Sequence, residues 1–222
     1  MFANEEVSSS SAASNSLDEV IATSKFTRPA KNRGLDIAYE FTRDEGYLHQ
    51  YYLLRSQLMG RALGWQIPVE PDQYDKRSHI LIARLGNQVV GGARIIVRSP
   101  RNNQPLPLET DTFNLINELP DLELGNKKYC EYSRFVLLEE FQHSRVPLIM
   151  FSRLYEKSRA LNLDYGFSSV SSSAARVHIK FCKMLNKDCS LLDDLELPEK
   201  PHYDGVNMKL IMFSDIPMSS AA

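Results

Sequence analysis

Glu131-Tyr132-Ser133-Arg134-Phe135 sets a carboxylate and a guanidinium three residues apart inside an apolar run that continues through Val136-Leu137-Leu138. Charged side chains are costly to bury unless they are paired or at work. In an extended strand Glu131 and Ser133 share one face, and regular alternation puts Arg134 on the other with Tyr132. A second charged set lies upstream: Arg55, then Trp65, then Asp72 and Asp75, then Arg94 within another apolar run. Two separated groups of acid and base fit a site for a charged small molecule. Arginine forks match carboxylates at two points, so Arg55, Arg94 and Arg134 are candidate holders of a substrate carboxylate. Asp72 and Asp75 are read as holding an amine or ordering their loop, and Trp65 as covering the bound molecule.

These residues need a scaffold, and the chain is long enough to supply one. It has 222 residues, 43% of them hydrophobic, which suffices for one packed domain plus a tail. The formal net charge of -2 gives no reason to expect nucleic-acid binding. No apolar run approaches the roughly 20 residues that span a bilayer. The first residues lack a basic segment followed by an apolar one, so no secretory signal is expected. Cys130, Cys182 and Cys189 show no metal-type spacing and read as free thiols of a cytoplasmic protein. No metal site is expected.

Residues 1–34 are rich in Ser, Ala and Asn and read as a disordered leader, with the folded domain covering 35–222. The pattern then predicts a strand at Ile37–Thr42 and a helix capped by Asp44 and running to Leu63. A loop over 64–77 follows, and then a hairpin of His79–Leu85 and Gln88–Arg98 about Gly86-Asn87. A Pro- and Asn-rich connection, a short helix within Thr112–Leu119 and a central strand at Tyr129–Leu138 come next. The rest reads as a helix from Pro147 to Leu161, a strand at Phe167–Ser172 and a helix at Ala174–Leu185. Strands at Cys189–Leu192 and Val206–Phe213 complete the chain. The order β-α-β-β-α-β-α-β-α-β-β gives an α/β (α+β) domain with a mixed central sheet flanked by helices on both faces.

That order resembles the GNAT acyltransferase fold. The charged positions resemble those of the bacterial acyl-homoserine-lactone synthases and their relatives, the long-chain N-acyl amino acid synthases. The family places an Arg on the first helix, a Trp ten residues later and an acidic pair three apart. An Arg on the third strand and Glu-x-Ser-Arg-Phe on the fourth complete the pattern. Here these are Arg55, Trp65, Asp72 with Asp75, Arg94, and Glu131 through Phe135. Lactone synthases usually carry a Phe where this chain has Met59, and a Gly-Pro-aromatic segment where it reads Arg98-Ser99-Pro100-Arg101-Asn102-Asn103. The departures favour the amino acid synthases over enzymes that take S-adenosylmethionine.

The resemblance implies an N-acyltransferase that moves a long fatty acyl chain from acyl carrier protein to the α-amino group of an amino acid. The alternatives are a lactone synthase with S-adenosylmethionine as acceptor, and an inactive acyl-binding module. The catalytic set is then Glu131, Arg134 and Ser133, with Glu131 as general base for the amine. Backbone N–H groups near Phe135 and Val170 are expected to face the oxyanion. Ser168, Ser169 and Ser171–Ser173 are expected along the pantetheine, and Leu148, Met150, Phe151 and Leu154 along the acyl chain. A GNAT enzyme that uses coenzyme A holds the pyrophosphate in a glycine-rich loop after the fourth strand. The corresponding Glu139–Pro147 has no glycine and two carboxylates. The expected donor is therefore acyl-phosphopantetheine on acyl carrier protein, with no bound cofactor. Arg176, Lys180 and Lys183, spaced for one helical face, form the expected docking patch for that acidic partner.

Overall fold

The computed structural model describes residues 36–64, 68–198 and 206–214. The leader reading for 1–34 and the role of Trp65 fall outside the described residues. Strand β1 (Ile37–Thr42) leads into helix α1 (Glu45–Leu63), whose first turn is capped by Asp44, Oδ1 accepting from Tyr47 N at 2.9 Å. Gly64 ends the helix in the left-handed region at φ 73°, where a Cβ would be strained. A single 3-10 turn at Asp75–Arg77 interrupts the expected loop before β2 (His79–Leu85) and β3 (Gln88–Arg98).

After β3 the chain makes a long connection containing the one-turn helix α2 (Leu115–Glu118), and returns as β4 (Tyr129–Leu137). Helices α3 (Glu139–Gln142) and α4 (Val146–Ala160) carry it over to β5 (Tyr165–Ser171). Helix α5 (Ser172–Met184), β6 (Asp188–Leu192) and β7 (Met208–Ser214) follow. Helix α3 has four residues and no apolar period to announce it.

The seven strands form one sheet in the order β1-β2-β3-β4-β5-β7-β6. All neighbours are antiparallel except β4 and β5, which run parallel and therefore need the helical crossover. Period-two alternation sorts side chains to the two faces. Leu81, Ala83, Ala93, Ile95, Cys130 and Tyr132 pack under α4 and α5 in the main core. Ile80, Ile82 and Val89 meet Tyr51, Tyr52 and Leu54 of α1 on the other face. Ile96, Tyr129 and Phe167 of that same face pack under Leu106, Leu108, Phe113 and Leu115 of the β3–β4 connection. Strand β3 is buried along almost its whole length, as a central strand must be.

Two irregularities interrupt the regular sheet. The parallel pairing of β4 and β5 holds for only three residue pairs, ending at Glu131 opposite Phe167. Beyond that point β4 stays with β3 while β5 stays with β7, so the two strands part. The second irregularity is a bulge. Gly92 pairs with Val136 and Arg94 with Ser133, so Arg134 and Phe135 together oppose Ala93. Arg134 takes φ 57°, in the left-handed region. That conformation costs about 1–2 kcal/mol for a residue with a Cβ.

Candidate active site

Helix α1 contributes Tyr51, Arg55 and Met59, four residues apart on one face. Arg55 is only 2% exposed, its guanidinium lying 4.9 Å from the Tyr52 ring centroid and donating from Nη1 to Asp75 Oδ2 at 2.7 Å. Arg94, 1% exposed on β3, donates from Nη1 to Asp75 Oδ1 at 2.7 Å and to both oxygens of Asp72 at 2.8 Å. Its Nε donates to Ser133 Oγ at 3.0 Å. Asp75 thus bridges two buried arginines. Burial pulls the Arg94 guanidinium down, but Asp72 and Asp75 more than reverse this, and its pKa is raised overall.

The acidic pair also orders its own loop. Asp72 Oδ1 accepts from Tyr74 N and Asp75 N at 2.9 Å, and Asp75 Oδ2 accepts from Asp72 N at 2.9 Å. Turn chemistry and ion pairing are therefore one arrangement here. Burial raises the Asp72 carboxyl, yet the charge and hydrogen bond of Arg94 and the Asp75 amide bring it below the ordinary 3.8.

The bulge corrects one expectation from the sequence. Regular alternation places Arg134 with Tyr132, but Tyr132 points to α4, its hydroxyl 2.7 Å from Ser158 Oγ. Arg134 instead joins the ion cluster, with Nη2 3.9 Å from Asp72 Oδ2 and Nη1 donating to Met59 Sδ at 3.8 Å. The extra residue reverses the side on which the guanidinium falls. Tyr51 fixes the bulge by donating its hydroxyl to Arg134 O at 2.9 Å. Burial pushes that phenol up to about 12, so it remains a donor. The side chain of Arg134 is 24% exposed, against 2% for Arg55 and 1% for Arg94. Arg134 therefore stands at the open edge, while the other two are already paired with protein carboxylates. Three arginines against two aspartates leave the cluster one positive charge in excess.

Glu131 is 3% exposed and lies on the same face of β4 as Ser133. Its Oε2 accepts from Leu108 N at 2.7 Å, so the β3–β4 connection covers it. Phe135, 37% exposed, sits in the bulge, and Val170 lies on β5 past the point where the strands part. Ser168 Oγ donates to Tyr132 O at 3.0 Å across the base of that opening. Leu148, Met150, Phe151 and Leu154 are buried in the main core, on the sheet face opposite the ion cluster. A separate small cleft lies at the closed end of the β4–β5 seam, among Tyr132, Tyr155, Ser158, Asp164, Tyr165 and Gly166. Tyr155 and Ser158 of α4 line it, and none of the ion-cluster residues does. Arg176, Lys180 and Lys183 are exposed on α5 beside Val177, while Ala175, Phe181 and Cys182 face inward.

Several residues around the site were not anticipated. Arg98 stands four residues after Arg94, on the same face at period two, and that spacing was a usable signal. Its Nη1 donates to both oxygens of Glu109 at 2.6 Å. Glu109 lies in an irregular segment and Arg77 in a single 3-10 turn, and no periodicity points to them. Among the described residues no group of three or more His, Cys, Asp or Glu side chains is placed to hold a metal. No described helix is long and apolar enough to cross a membrane.

Comparison with known proteins places this architecture. Residues 49–152, from α1 to the first turns of α4, match the acetyltransferase (GNAT) domain family. The fold is GNAT-like. FeeM, an N-acyl amino acid synthase from uncultured soil microbes, superposes with a TM-score of 0.56 at 15% identity, over 81% of this chain and 90% of that one. The acyl-homoserine-lactone synthase LasI superposes at 0.51 and 18% identity, over 81% and 88% of the two chains. BjaI, a CoA-dependent acyl-homoserine lactone synthase, gives 0.55 and 17%, over 80% and 82%. No curated protein matches the chain in sequence. At these identities the likeness establishes a common fold.

Proposed function

We propose that the chain is an N-acyltransferase that transfers a long-chain fatty acyl group from acyl carrier protein to the α-amino group of an amino acid. The observation that carries the reading is the parting of β4 from β5 beside a buried Glu131 and a half-open Arg134. A thioester entering that gap has the ion cluster on one face of the sheet. The acyl chain in this reading runs on the other face, toward the core that holds Leu148, Met150, Phe151 and Leu154. In this reading Arg134 holds the acceptor carboxylate and Ser133, fixed by Arg94, helps to keep the acceptor in place. Glu131 takes a proton from the amine. The amine nitrogen attacks the thioester carbon, with N–H groups near Phe135 and Val170 facing the developing oxyanion. Attack forms the C–N bond, collapse of the tetrahedral intermediate breaks the C–S bond, and the departing thiolate of phosphopantetheine takes up a proton.

The segment between β4 and α4 supports a donor without a pyrophosphate at that position. Glu139 and Glu140 are exposed in the first turn of α3. Ser144 Oγ accepts from Val146 N at 3.1 Å, and Pro147 has no N–H to give. Two of the amides that would hold a phosphate at this helix start are thus already used or missing. The alternative acceptor is S-adenosylmethionine, favoured by the likeness to the lactone synthases. Incubation with hexadecanoyl-acyl carrier protein, a pool of amino acids and S-adenosylmethionine, read by mass spectrometry, separates the two. The expected product is an N-hexadecanoyl amino acid. A homoserine lactone with methylthioadenosine supports the alternative, and an intact thioester rejects both.

A further inference from the structure

We propose that Arg77 is a positioning residue for this reaction, clamping the β3–β4 connection onto Glu131; the inference rests on Glu131 being the base. Arg77 ends the 3-10 turn that Asp75 begins. Its guanidinium reaches across to the connection, Nη1 donating to Gln104 O at 3.5 Å and Nη2 to Pro105 O. Its plane lies 5.3 Å from the centroid of the Tyr74 ring, so the side chain is held from below as well. Glu131 and Glu109 both lie within electrostatic reach of it.

The same connection delivers the amide that grips the base. Leu108 N donates to Glu131 Oε2 at 2.7 Å, three residues after Pro105. The far side of the connection is pinned separately. Glu109 pairs with Arg98, and its Oε2 accepts from Leu106 N at 2.8 Å while Oε1 accepts from Leu115 N at 3.2 Å. Arg98 also donates from Nη2 to Asn103 Oδ1 at 2.6 Å. Residues 103–109 therefore form a strap with two anchors. Glu109 and Arg98 fix it to β3, and Arg77 alone among these side chains ties it to the turn carrying Asp72 and Asp75. Acceptor cluster and base are thereby held in one frame. A carboxylate oriented by a fixed amide stays aligned for proton transfer, and small misplacements of a catalytic group are expensive.

Arg77 is half-exposed, so its replacement leaves the buried core intact. The test compares wild type, Arg77→Ala, Arg77→Lys and a Leu108 amide-to-ester replacement that removes only the N–H. Amide hydrogen exchange over 104–109 is expected to quicken about fivefold or more in Arg77→Ala, the factor for one lost hydrogen bond. With hexadecanoyl-acyl carrier protein and the amino acid that wild type acylates, kcat is expected to fall about tenfold to a hundredfold. The acceptor KM stays within about twofold, because no substrate contact is removed. Lysine restores part of kcat, and the ester reproduces the loss. Unchanged exchange in Arg77→Ala, a higher acceptor KM at full kcat, or an ester with wild-type kcat overturns the proposal. Glu131→Gln run alongside separates the two claims. If it turns over normally, the base assignment fails; if it is inactive while Arg77→Ala is fully active, only the strap fails.

Discussion

Asp75 is the residue on which the ion cluster depends. It is 2% exposed and answers the charges of Arg55 and Arg94 at 2.7 Å each. Replacing it by Asn leaves two buried guanidinium groups short of a partner. Breaking a buried ion pair from one side typically costs about 3–5 kcal/mol. Asp75→Asn should lower the urea midpoint accordingly, and a stability unchanged within error contradicts the cluster as described. Asp72 carries a pH dependence. Its pKa in the folded chain lies below 3.8, chiefly because Arg94 outweighs burial. A carboxyl lowered on folding contributes stability above its unfolded value and loses it as pH falls through the folded one. The wild-type melting temperature should therefore drop on acidification below about pH 4 more steeply than that of Asp72→Asn. At this scale the sequence was partly legible. Arg55, Asp72, Asp75 and Arg94 stood out as charges among apolar residues, and the structure joins them in one cluster. It did not reveal that Asp75 consumes both buried arginines, because partners distant in sequence leave no local mark.

Helix α1 approaches the sheet at Gly92, and the fit there positions Arg55. A Cβ built on Gly92 would lie 2.5 Å from Tyr51 Cδ2 and 2.9 Å from Leu81 O. Gly92→Ala should push α1 outward, with the overpacking loss of about 1–3 kcal/mol in denaturant unfolding. Tyr51 and Arg55 would move together, so the acceptor KM should rise as well. A Gly92→Ala protein of wild-type stability and KM would show that this close approach is not needed. The regular elements were readable because their signals are local. Asp44 and Gly64 bracket α1, and Gly86, at φ 58°, turns the β2–β3 hairpin. The bulge was not readable. Nothing in Ser133-Arg134-Phe135 signals a positive φ, since the residue is neither Gly nor Asn. Tertiary contacts impose it: the Tyr51 hydroxyl on Arg134 O, and Asp72 and Met59 at the guanidinium. That non-local cause also reversed the expected side of Arg134.

Over the whole molecule the net charge of -2 conceals a local positive surface. Arg176, Lys180 and Lys183 stand exposed on α5, which begins where β5 ends, past the point where β5 leaves β4. An acidic carrier protein docked there would bring its prosthetic arm to that opening. The double variant Arg176→Glu/Lys180→Glu should raise the KM for acyl carrier protein about tenfold at low salt and less at high salt, with kcat retained. An unaltered KM would rule out the proposed role of this surface in docking. The central claim concerns the carboxylate of Glu131, and the most direct test is release of the carrier thiol by wild type and by Glu131→Gln of matched thermal stability. The account predicts a folded variant whose turnover falls by about a hundredfold or more. Thiol release at the wild-type rate from that folded variant would contradict it.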